Sequence, residues 1–133
     1  MDPIFVTGGT GYIGRPLIEV LLQRGYSVHA LVRPGSEARL PRGAAPVIGT
    51  ALDASTFASA IPSGATLIHL VGTPHPSPAK AAEFQRVDLA SIQAVTAAVR
   101  GAAVRHLVYV SVAHPAPIMR AYIAVREQGE ALV

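Results

Sequence analysis

The sequence predicts an α/β fold, a doubly wound parallel sheet of about five strands with helices on both faces. Three observations predict it. Short β-branched runs alternate with longer stretches of helical periodicity along the chain. The run at residues 66–71 carries no charge, as a strand covered on both faces requires. A glycine-rich turn joins the first strand to the first helix. The 133 residues allow one domain, and a hydrophobic share of 50% with only 14% charged excludes a disordered chain.

Each element has a local cause. Ile4–Thr7 is a compact apolar strand, and residues 11–24 place Ile13, Leu17, Ile18, Leu21 and Leu22 at helical spacing. Gly25 ends that helix, and residues 27–32 read as a second strand. Pro34, Pro41 and Pro46 make residues 33–46 mostly loop. Residues 47–49 form a short strand, and Asp53 is a good N-cap for a helix over 54–60. After the turn Pro62-Ser63-Gly64 comes the fourth strand, then a stiff loop with prolines at 74, 76 and 78. A long helix over 79–100 carries Phe84, Val87, Ile92, Val95 and Val99 on one side. Residues 104–111 form the fifth strand, and residues 118–132 the last helix.

Composition removes several functions. Eleven Lys+Arg against eight Asp+Glu leave a surplus of three, spread along the chain, with no basic stripe or aromatic platforms for nucleic acid. No apolar run reaches the ~18 residues of a membrane-spanning helix. The absence of Cys excludes a disulfide scaffold, a Cys-ligated zinc and thiol catalysis, and agrees with a cytoplasmic setting. The five His show no metal-ligand spacing, so no metal is expected.

The segment Thr7-Gly8-Gly9-Thr10-Gly11-Tyr12-Ile13-Gly14 is the most informative stretch. It fits G-x-x-G-x-x-G and G-x-G-x-x-G, and its place between strand and helix is the context in which that pattern binds a pyrophosphate. Glycine permits the tight turn, lets a phosphate approach the backbone, and lets helix pack on strand. The helix N-terminus offers free N–H groups to the phosphates. Gly8, Thr10, Gly11, Tyr12, Ile13 and Gly14 are therefore candidate cofactor-binding residues. The bland alternative is a glycine turn needed only for packing.

An NAD-binding unit would place Asp or Glu at the end of the second strand, to meet the adenosine ribose. Here Arg33 occupies that place. Arginine can pair with a 2′-phosphate through two hydrogen bonds, so NADP(H) is expected in preference to NAD(H), with Arg15 and Arg39 assisting.

The glycine loop followed by Arg33 resembles the short-chain dehydrogenase/reductase superfamily in its extended and atypical branches. It is similar to the NAD(P)H-binding, NmrA-like and isoflavone-reductase-like Rossmann proteins. The resemblance implies adenine contacts after the third strand, at Thr50 and Ala51, where the family often has Asp and an aliphatic residue. It also implies a small-residue loop under the cofactor at Val71, Gly72 and Thr73. His69, within that strand, reads as a core histidine rather than a ligand.

Active members of the family place Ser or Thr after the fifth strand and Y-x-x-x-K on the next helix. Ser111 matches the first; Tyr122 and Arg126 match the second in spacing, with arginine for lysine. Residues four apart share a helix face, so a cation at 126 beside the phenol would favour its ionised form. Tyr122 is then the candidate acid or base, and Ser111 the group bonding the substrate oxygen. Guanidinium is planar and wide, so this exchange is not conservative. Asp88 stands where the family has a helical Asn. The alternative packs Tyr122 on a stripe with Ile118, Val125 and Leu132 while Arg126 pairs with Glu130.

Three functions follow: an NADP(H)-dependent oxidoreductase, a non-catalytic dinucleotide-binding redox sensor or assembly subunit, or an interaction module with an empty glycine loop. Val133 falls at the end of the helix carrying Tyr122, before the sixth strand of the family fold. A single Rossmann domain lacking the C-terminal substrate-binding part is thus expected. A homodimer, through the last two helices or across the open sheet edge, would cover the apolar surface this leaves.

Overall fold

The computed structural model describes residues 1–72, 78–111 and 120–133. Five parallel strands form one sheet: β1 (Ile4–Thr7), β2 (Val28–Val32), β3 (Ala45–Ile48), β4 (Thr66–His69) and β5 (His106–Tyr109). Their order is β3-β2-β1-β4-β5, the doubly wound Rossmann arrangement. Ile4 of β1 pairs in register with Val28 on one side and Thr66 on the other. The order reverses at β1, so the crevice for a ligand opens at the carboxyl ends of β1 and β4.

Strand side chains alternate between the two faces, and each face builds its own core. Ile4, Val6, Val28, Ala30 and Val32 meet Ile18 of helix α1 (Gly14–Gln23). Phe5, Leu31 and Leu67 face the other way, onto Phe57, Ile92 and Val95. Phe5 and Phe57 stack with ring centroids 6.0 Å apart, both fully buried.

Two expected helices take other forms. Residues 54–60 make two short 3-10 turns, Ala54–Thr56 and Ala58–Ala60, instead of an α-helix. Asp53 does cap, accepting from the Ser55 amide at 3.0 Å. Thr56 Oγ1, however, donates to backbone oxygens near the start of the segment, and such local bonds compete with a helix. The long helix is real but heterogeneous. It runs as α2 (Ala81–Glu83), a π-helical stretch (Phe84–Leu89) and α3 (Ala90–Gly101). Helix α4 (Arg120–Leu132) packs against the π-helical stretch and α3.

Helix α1 starts at Gly14 rather than residue 11, because the glycine loop takes its first turn for itself. No helix among the described residues is long and apolar enough to cross a membrane.

Candidate functional site

The glycine loop shows why its residues are glycine. Gly8 has φ +75°, a left-handed conformation, and a Cβ there would lie 2.9 Å from the carbonyl carbon of Leu70. A Cβ on Gly14 would overlap the Gly8 carbonyl oxygen and lie 2.8 Å from the Gly9 Cα. Only glycine at 14 lets α1 begin against the end of β1. Gly11, by contrast, has one neighbour near its missing Cβ, the Gly8 oxygen at 3.3 Å, so its other side is open.

Gly11 lines a cleft of about 1040 Å³ along the carboxyl ends of the strands. The structure brings most of the sequence-predicted residues together in its walls. Gly8, Thr10, Gly11, Tyr12, Ile13 and Gly14 line one stretch, with Arg33, Thr50 and Ala51 beyond the ends of β2 and β3. Val71, Gly72, Ser111, Tyr122 and Arg126 line the other end. Thr73 and Ile118 lie outside the described residues. Arg15 and Arg39, expected to assist Arg33, are not in these walls. Arg15 lies one helical step beyond Gly14 and faces a separate shallow depression with Arg42.

Sequence reasoning missed several wall residues. Ser36, Leu52, Leu70 and Val110 sit beside predicted positions at strand ends, and that adjacency was the available signal. Glu83 and Val87 have no such signal. The long helix carries them to the cleft from a distant part of the chain.

A buried polar chain runs beneath the cleft. His69 is fully buried in β4, with Nδ1 2.7 Å from Thr7 Oγ1 and Nε2 3.3 Å from Ser91 Oγ. Ser91 gives its one proton to the Asp88 carbonyl, so its oxygen accepts from His69 Nε2–H. Thr7 accordingly donates to Nδ1, and a neutral imidazole has both ring nitrogens bonded. Burial, aided by the Arg126 charge, lowers the His69 pKa from 6.5 to about 3.

This histidine makes the fold sensitive to acid. The unfolded chain takes up its proton below about 6.5, the folded chain only near 3, so acidification across that window favours unfolding. The contribution is complete above pH 6.5 and falls by up to ~1.4 kcal/mol per pH unit within the window. Urea unfolding at pH 7, 5 and 4 is expected to show a shallower fall for His69→Gln than for the wild type. Parallel profiles would refute the assignment.

The alternative pairing of Arg126 with Glu130 is not what the structure shows. Arg126 Nη2 pairs with Asp88 Oδ1 at 3.3 Å, and Nη1 donates to the Val110 oxygen at 3.2 Å and the Tyr109 hydroxyl at 3.4 Å. Glu130 instead accepts from Ser111 Oγ at 2.5 Å. Asp88, inside the helix pair, competes for the guanidinium from a buried position that Glu130, on the exposed face, does not share. Burial pulls the Arg126 pKa down, but Tyr109, Tyr122 and Asp88 outweigh it and hold it above its ordinary value. Burial likewise raises the Tyr109 phenol, with the Arg126 hydrogen bond opposing. Tyr122 packs on Phe84, ring centroids 5.0 Å apart, and carries the Arg126 guanidinium 5.2 Å from its ring centre. Of the expected apolar stripe, Val125 is buried but Leu132 is exposed.

Residues 4–128 match the NAD dependent epimerase/dehydratase family. Over 109 residues the chain is 38% identical to a 4-hydroxy-2-methyl-3-oxo-4-farnesyl-3,4-dihydroquinoline-1-oxide ketoreductase of Stigmatella aurantiaca. That match covers 80% of this chain and 32% of the ketoreductase. A solved UDP-galactose 4-epimerase superposes with a TM-score of 0.84 at 21% identity, over 98% of this chain and 50% of its own. A short-chain dehydrogenase/reductase superfamily protein from Agrobacterium tumefaciens, solved with bound NAD, gives 0.75 at 24% identity, over 98% and 44%. These two structures show the shared fold. The chain spans about a third of the ketoreductase and about half of the epimerase. With nearly its whole length matched, the chain belongs to the NAD dependent epimerase/dehydratase family.

Proposed function

We propose that the cleft binds a nicotinamide dinucleotide, NADP(H) in preference to NAD(H), as the cofactor half of a cytoplasmic oxidoreductase. One observation carries this reading. The glycine loop, Arg33 and the group Ser111, Tyr122 and Arg126 line a single cleft across the sheet's reversal point. The residues suit such a ligand, because Gly8, Gly11 and Gly14 line the cleft beside the start of α1 and a Cβ at Gly11 would already press on the Gly8 oxygen at 3.3 Å. Gly8 to Gly14 would hold the pyrophosphate, Arg33 the 2′-phosphate, and Thr50 and Ala51 the adenine. Val71 and Gly72 would lie under the cofactor. When bound, the nicotinamide supplies hydride chemistry.

At the other end, Tyr122 is the acid or base toward a substrate oxygen, and Ser111 orients that oxygen. Ser111 donates to Glu130 in the structure, so it meets an alcohol substrate's hydroxyl as an acceptor and must turn its proton from Glu130 to bond a carbonyl oxygen. Fluorescence titration is expected to show NADPH bound more tightly than NADH. Arg33→Ser is expected to weaken NADPH about tenfold and NADH less than about twofold. Tighter NADH binding by the wild type would refute the preference. Gly11→Asp, which puts a carboxylate where the phosphates would lie, is expected to bind neither. NADPH turnover with a panel of quinones, aldehydes and ketones tests the enzyme reading, which fails if none is reduced.

A second reading, a dinucleotide-binding redox sensor or assembly subunit without catalysis, is favoured by the burial of Arg126 against Asp88. Binding without turnover would support it. Either form is proposed to be a homodimer, since β5 is an edge strand with Val108 exposed. A monodisperse monomer in light scattering would contradict this.

A further inference from the structure

Among the described residues, three charged side chains line the cleft: Arg33, Glu83 and Arg126. Their surroundings differ. Arg33 is exposed beyond the end of β2, and Arg126 is buried in its ion pair with Asp88. Glu83 is half-buried and has no hydrogen bond or ion pair among the described residues.

Helical spacing brings Glu83 to the cleft. Glu83, the last residue of α2, and Val87 in the π-helical stretch are four residues apart, share a face and both line the cleft. The next residue, Phe84, turns inward, fully buried, and packs on Tyr122 with ring centroids 5.0 Å apart. Glu83 therefore stands toward the Tyr122 end, away from Arg33. Of the charges lining that end, Arg126 is offset by Asp88, and Glu83 is offset by no described residue.

A carboxylate partly removed from water without a partner favours a ligand group that brings positive charge. A concave wall strengthens the effect by focusing the field into the cleft. A nicotinamide dinucleotide carries one group of that chemistry. Its ring is cationic when oxidised and neutral when reduced, while its phosphates are anionic in both states.

We propose that Glu83 makes the cleft selective for redox state, holding the oxidised, cationic nicotinamide ring more tightly than the reduced, neutral one. The proposal rests on the cleft being a dinucleotide site, with the adenosine half toward Arg33 and the nicotinamide half toward Tyr122. The carboxylate acts on ring charge alone, so its effect belongs to one redox state and is screened by salt.

The experiment titrates NADP+, NADPH and adenosine 2′,5′-bisphosphate, which occupies the adenosine half alone, at about 0.1 M and about 0.5 M salt. The quantity read is the NADPH dissociation constant divided by that of NADP+. Glu83→Gln keeps the volume and removes the charge, and is expected to lower that ratio about fivefold. Glu83→Lys reverses the charge and is expected to lower it about twentyfold. Both variants should change bisphosphate binding less than about twofold. Glu19→Gln, an equal charge change beside the separate depression, is expected to leave the ratio unchanged. In the wild type, the higher salt should bring the ratio toward that of Glu83→Gln, a comparison that needs no variant to fold.

An unchanged ratio in Glu83→Gln, or a wild-type ratio indifferent to salt, would overturn the proposal. Equal weakening of NADP+ and NADPH would also overturn it, by assigning Glu83 to a group common to both states. So would an equal fall in Glu19→Gln, which would trace the effect to net charge. A wild type that binds the bisphosphate but neither dinucleotide removes the proposal alone. A wild type that binds none of the three removes the dinucleotide reading and this proposal with it.

Discussion

Gly14→Val is expected to abolish dinucleotide binding and to destabilise the fold by roughly 3 kcal/mol or more. The Cβ would overlap the Gly8 carbonyl oxygen and approach the Gly9 Cα to 2.8 Å and its carbonyl carbon to 2.9 Å. All three are backbone atoms, so no side-chain rotation relieves the overlap, and α1 must move off the end of β1. Ile18, fully buried against β1 and β2, would move with it. Gly101→Ala is the matched control, because nothing lies within 4 Å of its missing Cβ and alanine suits a helix. Thermal melts and NADPH titration check both. A Gly14→Val protein that melts like the wild type would show that α1 can be displaced freely.

Arg126→Met is expected to lower stability by about 3–5 kcal/mol, read from urea midpoints at constant slope. The side chain keeps most of its apolar stem, so the loss is electrostatic. Asp88, with a side chain 0% exposed, loses this guanidinium, and the Tyr109 hydroxyl and Val110 oxygen lose a donor. Exchanging both partners, Asp88→Leu with Arg126→Met, is expected to regain most of that stability, since a buried pair can be replaced by packed apolar groups. NADPH binding should stay weak in that double variant if Arg126 serves the cleft. Recovery of stability without recovery of binding separates the two roles of the pair. A single Arg126→Met variant as stable as the wild type would show that Asp88 is satisfied without it.

The parts legible in the sequence are those whose cause is local. The glycine loop was legible because its turn, its close approach and its helix start all act within eight residues. The strands were legible because residues alternating along β1 and β2 feed two separate cores. Arg33 lines the cleft because it directly follows Val32, the last residue of β2, a position legible from the strand pattern. Segment 54–60 was misread for a comparable reason, since side-chain bonds from Thr56 outweigh a helical pattern too short to resist them. The partner of Arg126 was the opposite case. Helical spacing favoured Glu130, four residues on, whereas the structure supplies Asp88, 38 residues earlier in the chain.

The sequence by itself determined the fold class, the glycine turn between the first strand and the first helix, and the residue types along the cleft. These depend on backbone sterics and hydrophobic periodicity, which are written within a turn or a strand. Only the tertiary structure decided which polar groups pair: Ser111 with Glu130, Arg126 with Asp88, and His69 between Thr7 and Ser91. Electrostatic partners are chosen by distance and burial in space, and burial reverses the ranking that spacing along one helix suggests.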